Sequence, residues 1–188
     1  VESRLIVREG RAYSLTHGPF RKADFRTLPA RDWTLLVQGV NLHSDAADAL
    51  LRRFAFLPYA RLDDLMVSYA APGGGVGPHF DSYDVFLLQA MGRRRWRIGP
   101  ACTDATPVRT DTRLRILEAF ETLEEFVLEP GDMLYIPPGV SHWGIAEGEC
   151  MTYSAGFRAP SHAEILVDIA NGAAERLAEG LRYKDPPL

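Results

Sequence analysis

Short apolar runs separated by turn signals make up most of the chain. Ten of these runs have the length and the β-branched and aromatic content of β-strands. Their sequences are RLIV, AYSL, WTLLVQ, LMVSYA, VFLLQ, RRWRI, FVLE, MLYIP, HWGIA and MTYSAGF. So many short strands in a chain of 188 residues predict an antiparallel sandwich or barrel.

Two segments carry helix-start signals instead. Ser44 precedes DAADALLRRF, which has acidic residues in its first turn, and Ser161 forms a capping box with Glu164 ahead of ILVDIANGAAERLAEGL. We expect both helices to flank the β core. The pattern therefore predicts a β domain over residues 1–160, followed over residues 161–188 by a helix and a linker that ends in YKDPPL.

Composition narrows the classes of function. The chain is 46% hydrophobic, which is enough for one domain with a substantial core. Its 25 acidic and 21 basic residues give a net charge of −4, which argues against direct nucleic-acid binding and is compatible with a cationic protein partner. Two cysteines, Cys102 and Cys150, form neither a disulfide framework nor a CxxC metal site, so we expect a reducing cytoplasm.

No targeting or membrane signal is visible in the sequence. No apolar run approaches the length of a membrane span, and VESRLIVREG lacks the pattern of a signal peptide, so we expect no membrane association. Because the chain begins at Val1 without an initiator methionine, we interpret it as a segment of a longer protein.

The polar pattern richest in candidate chemistry follows the glycine-rich APGGGVGP. His79 and Asp81 flank Phe80, so on a strand both would point to one face while Phe80 points away into the wall. The third candidate ligand is His142, which the tight turn PPGVSH brings to the start of a strand. Two histidines and one carboxylate leave metal positions open for non-haem Fe(II) oxygen chemistry, whereas structural zinc sites are closed and rich in cysteine.

The strand RRRWRIG offers a partner for a cosubstrate. Such an oxygenase would take electrons from 2-oxoglutarate, whose distal carboxylate needs a cation. Arg94 shares its face with Trp96 and Ile98, so it is predicted to enter the barrel, where a carboxylate would match its guanidinium. The opposite face should be solvated or form a patch for an acidic partner. Its arginines are Arg93, Arg95 and Arg97.

Hydroxyl groups on two other strands are further candidate contacts for a bound keto acid. Alternation places Thr152 and Ser154 on one face of MTYSAGF, where they are either hydrogen-bond partners of the cosubstrate or ordinary strand hydroxyls. Tyr69, at the end of LMVSYA, is either a phenol at the cavity mouth or a core aromatic residue.

Together these motifs resemble a known family. The resemblance runs over nearly the whole chain, through VESRLI, THGPF, DDLMVSYAAPGGGVGPHFDSYDVFLLQAMGRRRWRIG, LEPGDMLYIPPGVSHWGIA and YSAGFRAP. They are similar to the JmjC-type, cupin-fold 2-oxoglutarate oxygenases, and most of all to the bacterial ribosomal oxygenases that hydroxylate an arginine of a large-subunit ribosomal protein. The resemblance implies a mainly β, double-stranded β-helix (jelly-roll) core with flanking helices.

The resemblance also implies the cofactors and the roles of residues. Fe(II) would be held by His79, Asp81 and His142, with 2-oxoglutarate and O2 as cosubstrates. The cosubstrate carboxylate would fall on Arg94, and supporting contacts would fall on Tyr69 and Ser154.

The expected substrate is a basic segment of a ribosomal protein, hydroxylated on the β-carbon of an arginine. Asp63, Asp64 and Asp84 are candidates for steering it, and nothing identifies which of Ser82, Tyr83 and Asp84 touches it. Family members continue into a helical dimerisation region, so we expect residues 161–188 to lead towards it and the full-length protein to be a homodimer.

Two alternatives stay open. An oxygenase of the same mechanism could act on another residue, as a histidine hydroxylase or a lysine demethylase. A non-catalytic, metal-binding cupin module could instead recognise a partner without turnover.

Overall fold

The computed structural model describes residues 2–183, and its strands coincide with the ten predicted runs. The strands are β1 (Ser3–Glu9), β2 (Ala12–His17), β3 (Trp33–Val37), β4 (Leu62–Ala70), β5 (Asp84–Met91), β6 (Arg94–Ala101), β7 (Glu124–Leu128), β8 (Met133–Ile136), β9 (Val140–Ala146) and β10 (Cys150–Phe157). Turns and irregular segments rich in glycine and proline separate them, as the sequence pattern predicts.

The strands form two antiparallel sheets. One has the order β2-β1-β3-β4-β10-β5-β8 and the other has the order β7-β6-β9. In the larger sheet Ser154 lies opposite both Met66 and Leu87, and in the smaller sheet Ile98 lies opposite His142. The register thus brings distant parts of the chain to one interior. The predicted mainly β, double-stranded β-helix (cupin) fold is confirmed.

The two larger apolar clusters of the described residues stabilise this arrangement. The first lies inside the barrel and consists of Val85, Leu87, Trp96, Leu128 and Ile136. The second lies on the outer side of the larger sheet and consists of Leu51, Phe54, Leu65, Ala155 and Phe157. Strands β4 and β10 therefore bury side chains on both faces, which removes the polar alternation that would mark an inner face.

Helix α1 (Asp45–Leu51) and helix α2 (His162–Ala174) begin where the sequence predicts. The Ser44 side chain accepts from the backbone of Ala47, and Ser161 with Glu164 forms the full capping box. Each helix ends before the end of the segment that follows its start signal, DAADALLRRF for α1 and ILVDIANGAAERLAEGL for α2. Helix α2 ends soon after Asn171 and Gly172, two poor helix formers. Helix α1 continues directly into the 3₁₀ turn Arg52–Phe54. The other 3₁₀ turns are Asp24–Thr27, Val40–Leu42 and Tyr59–Arg61.

The chain divides into two compact units, residues 1–158 and residues 159–188. The first contains all ten strands with α1, and the second contains α2. That the second unit leads towards a dimerisation region stays a prediction. Among residues 2–183, no helix combines the length and the apolar character needed to cross a membrane.

Candidate active site

A cavity of about 80 Å³ lies inside the barrel, and its wall includes Leu36, Met66, Val76, Val85 and Leu87. The three predicted metal ligands and Arg94 all face this cavity. The Trp96 ring lies 5.9 Å from the His142 ring and 5.9 Å from Cζ of Arg94. The interior therefore joins a candidate metal site to a buried cation across one aromatic side chain.

The ligand atoms of His79, Asp81 and His142 all lie within 4.8 Å of one another. Oδ2 of Asp81 is 3.6 Å from Nε2 of His142 and 4.0 Å from Nε2 of His79, and the two imidazole centroids are 4.4 Å apart. One carboxylate oxygen and two imidazole nitrogens thus converge on a single point. This donor set suits a divalent non-haem metal with open coordination positions.

Backbone pairing brings the two histidines together. His79 donates its backbone N–H to His142 at 3.0 Å and accepts from the N–H of His142 at 2.8 Å, while Gly139 donates to the carbonyl of Asp81 at 2.7 Å. Strand geometry at His79 and Asp81 is the condition of the sequence-based prediction, and the structure has one isolated bridge there, between His79 and His142. Both side chains nevertheless face the cavity, because the segment runs alongside the start of β9.

Hydrogen bonds at the far side of each imidazole select the nitrogen that is free to bind a metal. Nδ1 of His79 lies 2.9 Å from the carbonyl of Gly77, and Nδ1 of His142 lies 3.0 Å from the carbonyl of Val140. A carbonyl accepts only, so each Nδ1 carries the proton and each Nε2 keeps its lone pair. Burial and the nearby His79 lower the pKa of His142 to about 3, so its ring is neutral at physiological pH.

Arg94 is buried with 5% of its surface exposed, and two neighbours orient it. Its Nη1 donates to Oγ of Ser68 at 3.0 Å, and its Nε donates to Sγ of Cys150 at 3.3 Å. Its Nη2 is buried without a hydrogen-bond partner among the described residues. A buried guanidinium with an unused donor fits the carboxylate of a bound ligand.

The two predicted hydroxyl contacts on β10 have different surroundings. Ser154 lines the cavity, so its hydroxyl is available to a bound ligand. Thr152 is fully buried outside it, and its Oγ1 donates to Oε1 of Gln89 at 2.8 Å. The prediction that Thr152 contacts the cosubstrate needs correction, because its hydroxyl proton is committed to Gln89.

The prediction that Tyr69 contacts the cosubstrate also needs correction. Its side chain lies on the face of β4 away from the cavity, with its ring 5.7 Å from that of Trp33. Burial and the neighbouring Glu149 raise the pKa of its phenol. The residue of β4 that reaches the cavity is the adjacent Ser68, which sequence reasoning missed because β4 is covered on both faces.

The three acidic residues that are candidates for steering a substrate lie in two different places. Asp63 and Asp64 line the cavity, and Asp64 accepts from the backbone N–H of Gly39 at 2.6 Å. Burial raises the pKa of Asp64 above its ordinary value. Asp84 instead forms an ion pair with Arg61 and accepts from the hydroxyl of Tyr135 at 2.6 Å. Its charge is already paired, which argues against the steering role suggested for Asp84.

A wider groove of about 530 Å³ is continuous with the cavity. It shares His79, Asp81 and Tyr83 with the cavity, and Ser82 lines it as well. Phe80 also lines the groove, with Cζ of Arg115 5.6 Å from its ring, so the prediction that it points into the wall is wrong. Burial and the Asp81 carboxylate raise the pKa of the Tyr83 phenol, which keeps it a neutral hydrogen-bond donor beside the triad.

The outward arginines of β6 are paired within the protein. Arg95 contacts Glu125 and Glu147, and Nε of Arg97 lies 2.9 Å from Oε2 of Glu125. Arg93 lies within 3.5 Å of Glu129 and Glu147. Of the two readings of this face, a solvated face is the one that these pairs favour.

Comparisons with known proteins agree with this geometry. A family model described as JmjC domain matches residues 38–165, which contain the triad and Arg94. The chain is 44% identical over its whole length to the ribosomal protein uL16 3-hydroxylase of Escherichia coli, covering 50% of that protein. It is 41% identical over 90% of its length to a probable ribosomal oxygenase of Haemophilus influenzae, covering 40% of that protein. The chain thus spans half or less of these curated relatives.

Solved structures give the same result. The X-ray structure of E. coli ycfD superposes on the whole chain with a TM-score of 0.88 at 43% identity, and the chain covers 50% of it. A structure of YcfD, a ribosomal oxygenase from E. coli, in complex with cobalt and 2-oxoglutarate matches with a TM-score of 0.83 at 43% identity, and the chain covers 48% of it. From the family match, the whole-length identity and the shared fold, the chain belongs to the JmjC domain family.

Proposed function

We propose that the chain is the catalytic domain of an Fe(II)- and 2-oxoglutarate-dependent hydroxylase that acts on the β-carbon of an arginine in a large-subunit ribosomal protein. One observation carries most of the proposal. Arg94, whose buried Nη2 has no hydrogen-bond partner among the described residues, lines the same cavity as the three metal-binding side chains. A metal alone would not require that cation, whereas a cosubstrate with a distal carboxylate would.

The residues of the chain have separate tasks in this function. Fe(II), bound by His79, Asp81 and His142, supplies the activation of O2 that couples decarboxylation of 2-oxoglutarate to hydroxylation of a C–H bond. The hydrogen bonds from each Nδ1 to the backbone fix the orientation of the imidazoles. Tyr83 holds a neutral hydroxyl beside Asp81 that can donate a hydrogen bond to that carboxylate.

Arg94 would bind and orient the cosubstrate. Its side chain is fixed by Ser68 and Cys150, so a carboxylate meets a guanidinium that is already in position. Ser154 offers a further hydroxyl in the same cavity. Trp96, Val85 and Leu87 surround these groups with apolar surface, which excludes water and strengthens the ion pair.

The groove is lined by both acidic and basic residues, so it is the two acidic residues of the cavity that favour a cationic substrate side chain. An extended segment in the groove would direct one side chain past Tyr83 towards the metal ligands. Asp63 and Asp64 provide carboxylates for a cationic side chain at that position. The similarity to the uL16 3-hydroxylase agrees with a ribosomal protein as substrate, and such a substrate would place the enzyme in the cytoplasm. A homodimer of the full-length protein remains part of the proposal.

Mass spectrometry of protein uL16 incubated with the chain, Fe(II), 2-oxoglutarate and O2 tests the proposal. We expect a gain of one oxygen atom on one arginine, with release of succinate and CO2 in equal amounts. The Asp81→Ala variant serves as the matched control and should give neither the oxygenated arginine nor succinate and CO2. Oxygen on a histidine, or loss of a lysine methyl group, would instead support one of the alternative oxygenase activities. Metal and peptide binding with no succinate under any condition would support the non-catalytic module.

A further inference from the structure

Gln89 is a buried amide on β5 that the proposed function leaves unused. It follows Val85 and Leu87 on the inner face of the strand, yet it lies outside the cavity and only 1% of its surface is exposed. A buried amide is costly unless its donors and its acceptor are all satisfied. Its contacts therefore show which part of the molecule it serves.

The amide group of Gln89 forms hydrogen bonds with the turn between β5 and β6. Its Nε2 donates to the carbonyl of Met91 at 2.9 Å and to the carbonyl of Gly92 at 3.2 Å. Its Oε1 accepts from Oγ1 of Thr152 at 2.8 Å, directly across the sheet. Both amide hydrogens and the amide oxygen thus have partners, and two of those partners are consecutive carbonyls of one turn.

This turn leads directly to Arg94. Gly92 has φ +62° and approaches β10 so closely that a Cβ there would lie 2.1 Å from the carbonyl of Glu149, so the turn has little freedom to shift. Arg94 begins β6 two residues later. Its Nε then reaches Sγ of Cys150, the residue that follows Glu149. The position of the guanidinium therefore depends on where the turn sits against β10.

We propose that Gln89, held by Thr152, is a positioning residue for Arg94. It fixes the turn from β5 to β6 so that Nη2 of Arg94 points at the distal carboxylate of 2-oxoglutarate. The inference rests on the proposed function, because it assumes that Arg94 binds this carboxylate. It also gives Thr152 an indirect role in place of the direct contact that the sequence predicted.

The test measures cosubstrate affinity separately from metal affinity. The cobalt(II)-loaded chain is titrated with 2-oxoglutarate by calorimetry, and the apo-chain is titrated with cobalt(II). We expect Gln89→Met to weaken 2-oxoglutarate binding about tenfold, because the turn loses two hydrogen bonds, while cobalt affinity stays unchanged. Thr152→Val should weaken 2-oxoglutarate binding about fivefold, the effect of one lost hydrogen bond.

A matched control and a double variant separate positioning from general loosening of the fold. Thr34 is also buried in the larger sheet, with 1% exposed, and donates its hydroxyl to the carbonyl of Tyr69. Thr34→Val should leave 2-oxoglutarate affinity unchanged. In the Gln89→Met background, Thr152→Val should have no additional effect, because its partner is already gone.

Three outcomes would count against the inference. A folded Gln89→Met variant with wild-type 2-oxoglutarate affinity overturns it, and if that variant fails to fold, Thr152→Val decides on the same criterion. An equal loss of cobalt and 2-oxoglutarate affinity shows a general structural defect and also overturns it. Failure of the wild-type chain to bind 2-oxoglutarate would overturn the proposed function and this inference with it.

Discussion

Strand β6 carries arginines on both faces, and the protein surrounds them in opposite ways. On the inner face, Arg94 is 5% exposed, contacts Oγ of Ser68 and Sγ of Cys150, and keeps Nη2 without a partner among the described residues. On the outer face, Arg95 and Arg97 contact Glu125 at the solvent boundary. Among the described residues, the inner arginine thus has no carboxylate in ion-pair contact, whereas the outer arginines do.

The difference shows what each arginine contributes. Burying a charge lowers the stability of the fold unless an anion pairs with it, and the proposed cosubstrate carboxylate would supply that anion for Arg94. The outer arginines already have carboxylate partners, and exposed pairs of this kind contribute little stability. Burial with incomplete pairing is therefore a better marker of function in this strand than the number of charges.

The largest effect should come from the carboxylate of the inner triad. Asp81→Ala removes one of the three metal ligands. Loss of a residue that only hydrogen-bonds to a metal ligand lowers metal affinity or activity by roughly 10–100-fold, so loss of a ligand itself should lower hydroxylation by more than about 100-fold. Succinate release and metal content are the measurements. Asp45→Ala, at the exposed start of α1, is the control and should keep full activity. Full activity of Asp81→Ala would disprove the triad assignment.

Arg94→Met tests the contrast between the two faces directly. The variant loses charge-assisted hydrogen bonds to the cosubstrate, so we expect the KM for 2-oxoglutarate to rise about 100-fold. The melting temperature of the ligand-free protein should stay the same or increase, because a buried charge is replaced by an apolar side chain of similar volume. Arg94→Lys should be intermediate, since it keeps the charge but loses the planar fork. An unchanged KM in Arg94→Met would show that another group binds the carboxylate.

How well the sequence predicted each feature depends on how many faces of a strand are buried. On β6 one face is solvated, so alternation placed Arg94 and Trp96 inside correctly. Neither face of β4 is solvated, because one face lines the cavity and the other packs in the cluster around Leu65. The prediction therefore chose Tyr69, although Ser68 is the residue that reaches the cavity. A period of two residues identifies two faces, but only solvent exposure of one face tells which is inner.

Long-range partners set the second limit. The ion pair of Asp84 with Arg61 and the hydrogen bond of Thr152 to Gln89 join residues 23 and 63 positions apart, and no local pattern marks either. The triad was predictable because its residues stand in dense local motifs, HFD and PPGVSH, even though the first motif folds as an isolated bridge.

A smaller effect is expected at the acidic side of the cavity. Asp64→Asn keeps an acceptor for the backbone N–H of Gly39 but removes the charge facing a cationic substrate. We expect the KM for a basic uL16 peptide to rise about tenfold, with little change for 2-oxoglutarate. Burial raises the pKa of this carboxyl, so wild-type peptide affinity should fall on acidification sooner than for an ordinary aspartate, and the variant should lack this component. Equal peptide KM values for both proteins would assign recognition to other groups.

The smallest effect should come from the outer face of β6. Arg95→Met removes the contacts with Glu125 and Glu147 yet leaves the cavity untouched, so we expect the KM for 2-oxoglutarate to stay within about twofold of the wild type. The melting temperature should fall slightly at low ionic strength, and the difference should shrink as salt screens the exposed pairs. The matched comparison is Arg94→Met, which makes the same substitution on the same strand. If both variants changed cosubstrate affinity equally, the two faces of β6 would not be functionally distinct, because the effect would then follow the loss of charge and not its position.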